Sequence, residues 1–344
     1  MVRKKEAVFL RHHNSGAPRK LGVLGTMRSR MRLRHMSFFT EKTYVYWVRC
    51  FFKFHPGIAA KDLEEVHIIQ YLNYLASDRK VAAATQNQAL NALVFLFKEV
   101  LQRTIKEFKG ITWAKKSKRL PVVLSIEEVK AVLCHLTGIQ WLIACLLYGT
   151  GMRLTEALRL RVKDIDFQRN MILVRDAKGQ KDRVVQLPHV LQEPLAQQLK
   201  QAKQYHEIDL QDGFGCVSLP YALQRKYPQA DKQWIWQYVF PSVRRSLDPL
   251  SGQIKRHHLY HSIMEDSVRL AVKKSGIQKR VTCHTFRHSY ATHLLDNGTD
   301  IRTVQVLLGH NDVKTTMLYT HVTADKGVGT KSPLDAIANA IRNG

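Results

Sequence analysis

Acidic residues are scarce in this chain. Its 344 residues hold 28 Asp and Glu against 54 Lys and Arg, a formal net charge of +26. That imbalance points to a polyanionic partner or an anionic surface. Cysteine is scarce as well: Cys50, Cys134, Cys145, Cys216 and Cys283 are odd in number, scattered and without a CxxC pair. A disulfide framework is therefore not expected, and a reducing compartment is the natural setting. No long apolar run occurs. The most apolar stretch, Trp141 to Tyr148, falls far short of the roughly 20 residues that span a bilayer. The N-terminus shows no apolar h-region, so a secretory signal is not expected. With 10 prolines, 18 glycines and 45% hydrophobic residues, the chain is neither collagen-like nor wholly disordered. A strongly basic globular protein remains, long enough for two domains.

Residues 1–36 read as a basic arm without a packed core of its own. The first 35 carry ten Lys or Arg and one acid, Glu6. Such a run suits phosphate contacts; an organelle transit peptide is the weaker alternative, since amphipathic periodicity is slight before Met27. Helical periodicity starts near Ser37, with Thr40 as candidate cap and Thr43, Tyr44, Trp47, Phe51 and Phe52 in one stripe. A second helix is expected from Lys61 through Leu75 and a third from Thr85 through Leu101. Together 37–103 form a small helical unit whose aromatic stripe is core. Residues 104–122 show no sustained apolar period and read as a linker; Lys115, Lys116, Lys118 and Arg119 would cross a phosphate backbone.

The second unit, 123–323, opens on Ser125 with Glu127 and Glu128, an acid-rich helix start. Helices run to Tyr148 and again past Leu154. Three short strands follow at Ile165–Phe167, Met171–Val174 and Val184–Leu187. Helix resumes over Val190–Ala202. Residues 203–262 are irregular and rich in Trp, Tyr, Pro and His. Helix returns from Ile263 to about Tyr319, and 324–344 form a tail with a short apolar helix (Leu334, Ile337, Ala338, Ile341).

Four segments stand out. Gly149-Thr150-Gly151-Met152-Arg153 places a guanidinium at a helix start, where it can fork onto phosphate oxygens. Lys178 sits at the tip of a hairpin and could donate a proton there. His284 and Arg287, three apart on a helix, share a face. Gly309-His310 ends a helix, and Tyr319 follows nine residues on; a tyrosine nucleophile needs cations nearby to favour its phenolate. Taken singly, each has a plainer explanation: a surface arginine near a cap, a good turn residue, a structural histidine, a packing tyrosine. A metal site at His284 and His288 has ligand spacing but lacks a carboxylate partner.

In combination and order, these segments resemble the tyrosine recombinase (phage-integrase-like) family over 124–323, and the unit at 37–103 is similar to that family's helical core-binding domain. The resemblance implies a mainly α fold with a small three-stranded antiparallel sheet: a helical core-binding (SAM-like) domain plus an α/β catalytic domain, closing as a C-shaped clamp on DNA. It implies that Tyr319 attacks a backbone phosphorus, leaving a 3′-phosphotyrosyl link and a free 5′-hydroxyl. Arg153 and Arg287 would stabilise the non-bridging oxygens, Lys178 would protonate the leaving oxygen, His284 would act as general base or acid, and His310 would hydrogen-bond the phosphate or orient the tyrosine. It implies no cofactor: neither metal nor ATP takes part.

A narrower resemblance follows from the inserted segment, about 220–262, with Ala222-Leu223-Gln224-Arg225-Lys226-Tyr227-Pro228, Trp234-Ile235-Trp236-Gln237-Tyr238-Val239-Phe240-Pro241 and Arg256-His257-His258. Integron integrases carry such an insertion and a similar Ser332-Pro333-Leu334 tail. This implies cassette sites recognised as folded single strands with extrahelical bases, together with a duplex attachment site, and a homotetramer on DNA with the tail docked in trans. It also implies a bacterial, cytoplasmic, nucleoid-associated enzyme with no membrane partner. A flipped base needs an aromatic slot with hydrogen bonds, and Trp234, Trp236, Tyr238, Pro241, His257 and His258 supply those residue types. The rivals are a phage, transposon or Xer-type recombinase on duplex sites, a type IB topoisomerase, a catalytically silent DNA-binding regulator, and a zinc-stapled nucleic-acid binder.

Overall fold

The computed structural model describes residues 22–105, 110–114, 120–177, 181–219, 223–249, 251–310 and 316–317. The chain divides into two compact units, Met1–Lys118 and Arg119–Gly344. Among the described residues no helix is long and apolar enough to cross a membrane.

The N-terminal unit is helical: α1 (Val23–Leu33), α2 (Phe38–Phe54), α3 (Glu65–Ser77) and α4 (Ala83–Phe95), the last running into a wider π-helical turn over Leu96–Val100. Ser37 caps α2, its Oγ accepting from the Thr40 N–H at 3.1 Å, so the cap precedes Thr40. The π turn turns Leu96 and Phe97 into the core. There Phe51 meets Tyr71 and Phe97 edge-on, at centroid separations of 5.6 and 6.4 Å.

Two boundaries differ from the sequence reading. The basic arm does not extend to residue 36: α1 lies within it, with Met27 and Met31 fully buried. Arg32 forks onto the buried Glu41 of α2 at 2.9 and 3.1 Å, tying α1 to α2. An arginine-rich helix can therefore belong to the core, because it needs only one apolar stripe. Nor is the whole of 104–122 a free linker. Ile105 and Ile111 pack on the N-terminal core, and the buried Gln86 amide donates to Thr112 O at 2.8 Å and accepts from Ala114 N–H at 2.8 Å.

The second unit begins with α5 (Ile126–Cys134), capped reciprocally by Ser125 and Glu128, and α6 (Gly138–Thr150). The apolar α6 packs against α11 (Cys283–Asp296), and the two centre a core that includes Leu142, Ile143, Leu146 and Phe286. Helix α6 ends at Gly151, whose φ of +66° lies in the left-handed region. The short α7 (Leu154–Leu158) follows. Strands β1 (Ile165–Asp166), β2 (Met171–Ala177) and β3 (Lys181–Gln186) form the antiparallel sheet in that order. Val174 pairs with Arg183 across it, and Ile172 with Val185.

Helix α8 (Gln192–Gln211) runs nine residues beyond the expected Ala202. Its buried face there carries His206 and Asp209, polar side chains that hide the apolar period. The inserted segment holds α9 (Leu223–Lys226) and the strand pair β4 (Ser246–Leu247) and β5 (Ile254–Lys255). It is fastened in two ways. Its backbone pairs with the chain after α7, Val239 N–H donating to Leu160 O at 2.9 Å and Val162 N–H to Gln237 O at 3.1 Å. Arg256 also forks onto the buried Asp209, both contacts 2.6 Å. Helix α10 (His261–Lys274), α11 and α12 (Ile301–Leu308) complete the unit.

Candidate active site

Two helix ends converge on Arg287 of α11. Arg287 is the largest fully buried side chain among the described residues, 1% exposed. Its Nη1 donates to Gly151 O at the end of α6, and its Nη2 to Leu308 O at the end of α12, 2.7 Å away. The same Nη2 donates to His310 Nε2 at 2.9 Å. With Nε2 accepting, the His310 proton sits on Nδ1, which donates to Thr316 Oγ1 at 2.9 Å; Thr316 is fully buried. Gly309 turns the chain into this pocket with φ +63°. Arginine thus ties together the two glycine-ended helices that bring Arg153 and His310 to the site.

Arg153 stands just before α7. Its backbone N–H and its Nη1 both donate to Glu156, at 2.9 and 2.6 Å. Glu156 also receives Arg183 from β3, at 2.6 and 3.3 Å. Burial alone would raise the Glu156 carboxyl, but the hydrogen bonds and charge of Arg183, joined by Arg153, outweigh it and hold it below the usual carboxylate range. One carboxylate therefore serves two guanidiniums, and Arg287 adds a third, which leaves the local field strongly positive.

His310 registers that field. Burial first, then the charges of Arg287, Arg153, Arg183 and His284, push its pKa down to about 3. His284 is exposed at the start of α11, yet the surrounding protein and the charges of Arg287 and Arg153 lower it too. His288, its ring 4.3 Å from that of His284, falls to about 4 by burial and by the neighbouring cations. These shifts fix a pH dependence. Unfolded His310 takes up a proton near 6.5, whereas the folded side chain does so only near 3. Stability is therefore complete above about 6.5 and drains away as pH falls toward 3. Unfolding midpoints measured at pH 7, 5 and 4 should fall in that order, and His310→Asn should flatten the trend.

Lys178 and Tyr319 lie outside the described residues, as do Lys115, Lys116, Lys118 and Arg119. The inserted aromatics are divided between two places. Trp236, Tyr238, His257 and His258 line a cavity of about 390 Å³, opposite Arg159, Arg161 and Arg175. Thr155 and Glu156 line it as well, so it opens onto the arginine network. Trp234 is elsewhere: it stacks on His206 of α8, rings 6.0 Å apart. Pro241 is buried and pairs by its backbone with His258. Arg161 holds the cavity wall, donating to Trp236 O at 2.5 Å and Ser218 O at 2.7 Å while lying 4.6 Å from the Tyr238 ring centre. Lys163 sits 3.0 Å from the Trp236 ring centre, and burial, then the nearby Arg175, lower its pKa to about 8. Burial keeps both His257 and His258 below the ordinary imidazole value, so at neutral pH these two rings are uncharged donors and acceptors in a cavity that Asp164 and Asp248 also line. The sequence reading missed Glu156, Arg161, Arg183 and Thr316. Glu156 lies three residues past Arg153 and Arg183 five past Lys178, but ion pairs 27 residues apart leave no mark in spacing.

The fold and this array define a DNA strand-transferring enzyme of the tyrosine recombinase class. Residues 124–326 match the phage integrase family and 23–107 its N-terminal SAM-like domain. An integrase/recombinase of Escherichia coli is 46% identical over 319 residues, covering 93% of this chain and 95% of its own. The tyrosine recombinase XerA of Thermococcus onnurineus is 31% identical, covering 83% of this chain and 86% of its own. Among solved structures, the XerH site-specific recombinase bound to its palindromic difH substrate matches with a TM-score of 0.59 at 20% identity, over 89% of this chain and 82% of that one. A lambda integrase tetramer bound to a Holliday junction gives 0.59 at 16%, over 86% and 76%. The chain belongs to the phage integrase family of tyrosine recombinases.

Proposed function

We propose that this recombinase is of the integron type, exchanging gene cassettes whose sites are folded single strands with extrahelical bases. Tyr319 attacks the scissile phosphorus, giving its phenol proton to His284, and displaces the 5′-oxygen, which Lys178 protonates; a 3′-phosphotyrosyl bond replaces the phosphodiester and is later reversed. Arg153 and Arg287 hold the non-bridging oxygens in a site already positive before the phosphate arrives, so little reorganisation is needed as charge develops. Once substrate draws its Nε2 from Arg287, His310 hydrogen-bonds the phosphate or orients Tyr319, and exposed His284 is the general base or acid. Lys115, Lys116, Lys118 and Arg119 follow the DNA backbone, four protomers act on two sites, and the segment from Leu334 docks in a neighbour.

The observation that carries the integron reading is the cavity beside the arginine network. Its Trp236 and Tyr238 walls with neutral His257 and His258 suit an unstacked base better than a phosphate. Pro241 pairs by its backbone with His258 of this wall, and Trp234 fastens the same inserted segment to α8. A Xer-type enzyme acting on duplex DNA is the second reading, favoured by the likeness to XerA. Trapping separates them: purified protein meets one cassette-site strand folded as a hairpin, or the same site as duplex, each nicked to stop religation. Faster covalent attachment to the hairpin is the expected result, with Trp236→Ala losing that preference. Equal or faster attachment to duplex decides for the Xer-type reading.

A further inference from the structure

We propose that Arg183 is a positioning residue of the phosphate site, setting how freely Arg153 can leave its carboxylate partner for the substrate. The inference rests on Arg153 being a phosphate ligand.

Arg183 is the only arginine of β3, and its side chain is 7% exposed. It faces inward because it shares the buried side of the strand with Val185. Its Nη2 and Nη1 reach Glu156 at 2.6 and 3.3 Å, and its Nε donates to Leu307 O at 2.9 Å. It also lies against the turn before His310: a Cβ on Gly309 would stand 3.1 Å from Arg183 Cδ and 3.2 Å from Nη1. One side chain therefore connects β3, the carboxylate holding Arg153, and the turn carrying His310.

The charge arithmetic gives Arg183 its effect. The Glu156 side chain is 6% exposed and cannot rely on water for its countercharge. With Arg183 present, Arg153 is one of two neutralising partners and can turn toward a phosphate. Without it, Arg153 is left as the partner and is drawn onto the carboxylate. Arg183 touches no substrate in this scheme; it acts through Glu156.

The test is covalent attachment at saturating nicked DNA, hairpin and duplex both supplied, beside the dissociation constant from gel shift. Arg183→Gln should attach at least about tenfold more slowly with unchanged affinity. Adding Glu156→Gln removes the stranded charge, so the double variant should be faster than Arg183→Gln alone. A merely structural arginine predicts the opposite, a double variant as slow or slower. Arg183→Lys keeps the countercharge but loses the fork, and should fall between wild type and Arg183→Gln; it serves if the Gln variant does not fold. An undiminished rate in Arg183→Gln or Arg183→Lys, or no gain in the double variant, overturns the proposal. Arg153→Ala is run alongside: if it attaches at the wild-type rate, the reading beneath the proposal fails independently of Arg183.

Discussion

An Arg287→Lys enzyme should attach covalently to DNA about 10²- to 10³-fold more slowly than wild type while binding the same site almost as tightly. The reason lies in how the guanidinium is spent. Its two terminal nitrogens already serve Gly151 O, Leu308 O and His310 Nε2, so the side chain is held rigidly before substrate arrives. An ammonium keeps the charge but cannot meet three acceptors spread across two helix ends. Both the aim of the positive charge and the orientation of His310 are lost. DNA affinity hardly changes, because the remaining basic surface supplies most of it. Attachment rates at saturating DNA, set beside gel-shift affinities, check the split. A parallel loss of affinity and rate would mean that Arg287 only holds the fold.

Gly151→Ala should destabilise the protein by about 2–5 kcal/mol, from left-handed backbone strain plus overpacking. Gly151 has φ +66°, and an added Cβ would lie 2.5 Å from Tyr290 Cδ1 and 2.9 Å from Leu308 Cδ2. Neither neighbour can retreat easily. Leu308 is fully buried, and its carbonyl accepts from Arg287. The strain would pass directly to the site, because Gly151 O is itself an Arg287 acceptor and Arg153 is two residues on. Denaturant unfolding of wild type, Gly151→Ala and Gly151→Ala with Tyr290→Ala separates the two causes. The double variant should recover the overpacking share and leave the backbone share.

Features fixed by local chemistry were legible in the sequence. Ser125 and Glu128 announced the start of α5, the glycines at 149 and 151 a break before Arg153, and the alternation around 171 and 184 the paired strands. Features that depend on distant partners were not. Helix α1 has just two fully buried side chains, Met27 and Met31, among arginines, and its anchor is Glu41 on the next helix. The far half of α8 hides its buried face behind His206 and Asp209, whose partners arrive with the inserted segment. That segment was visible as a block of aromatics, but the spacing could not assign Trp234 to α8 and Trp236 to the cavity. The two sit on one tight 3₁₀ turn, where small changes of direction send side chains to different neighbours. Glu156 and Arg183 illustrate the same limit within the site. Each belongs to a recognisable segment, yet their function together is set by a contact between a helix start and a sheet.

On the proposed mechanism, the positive site at α11 serves Tyr319, which becomes covalently joined to DNA. The measurement that tests it most directly is denaturing-gel detection of a protein–DNA adduct on a nicked recombination site, with wild type and Tyr319→Phe compared at equal DNA occupancy. Wild type should give a protease-sensitive adduct bearing a 3′-phosphate link, and Tyr319→Phe none despite unchanged binding. An adduct that persists in Tyr319→Phe would contradict it.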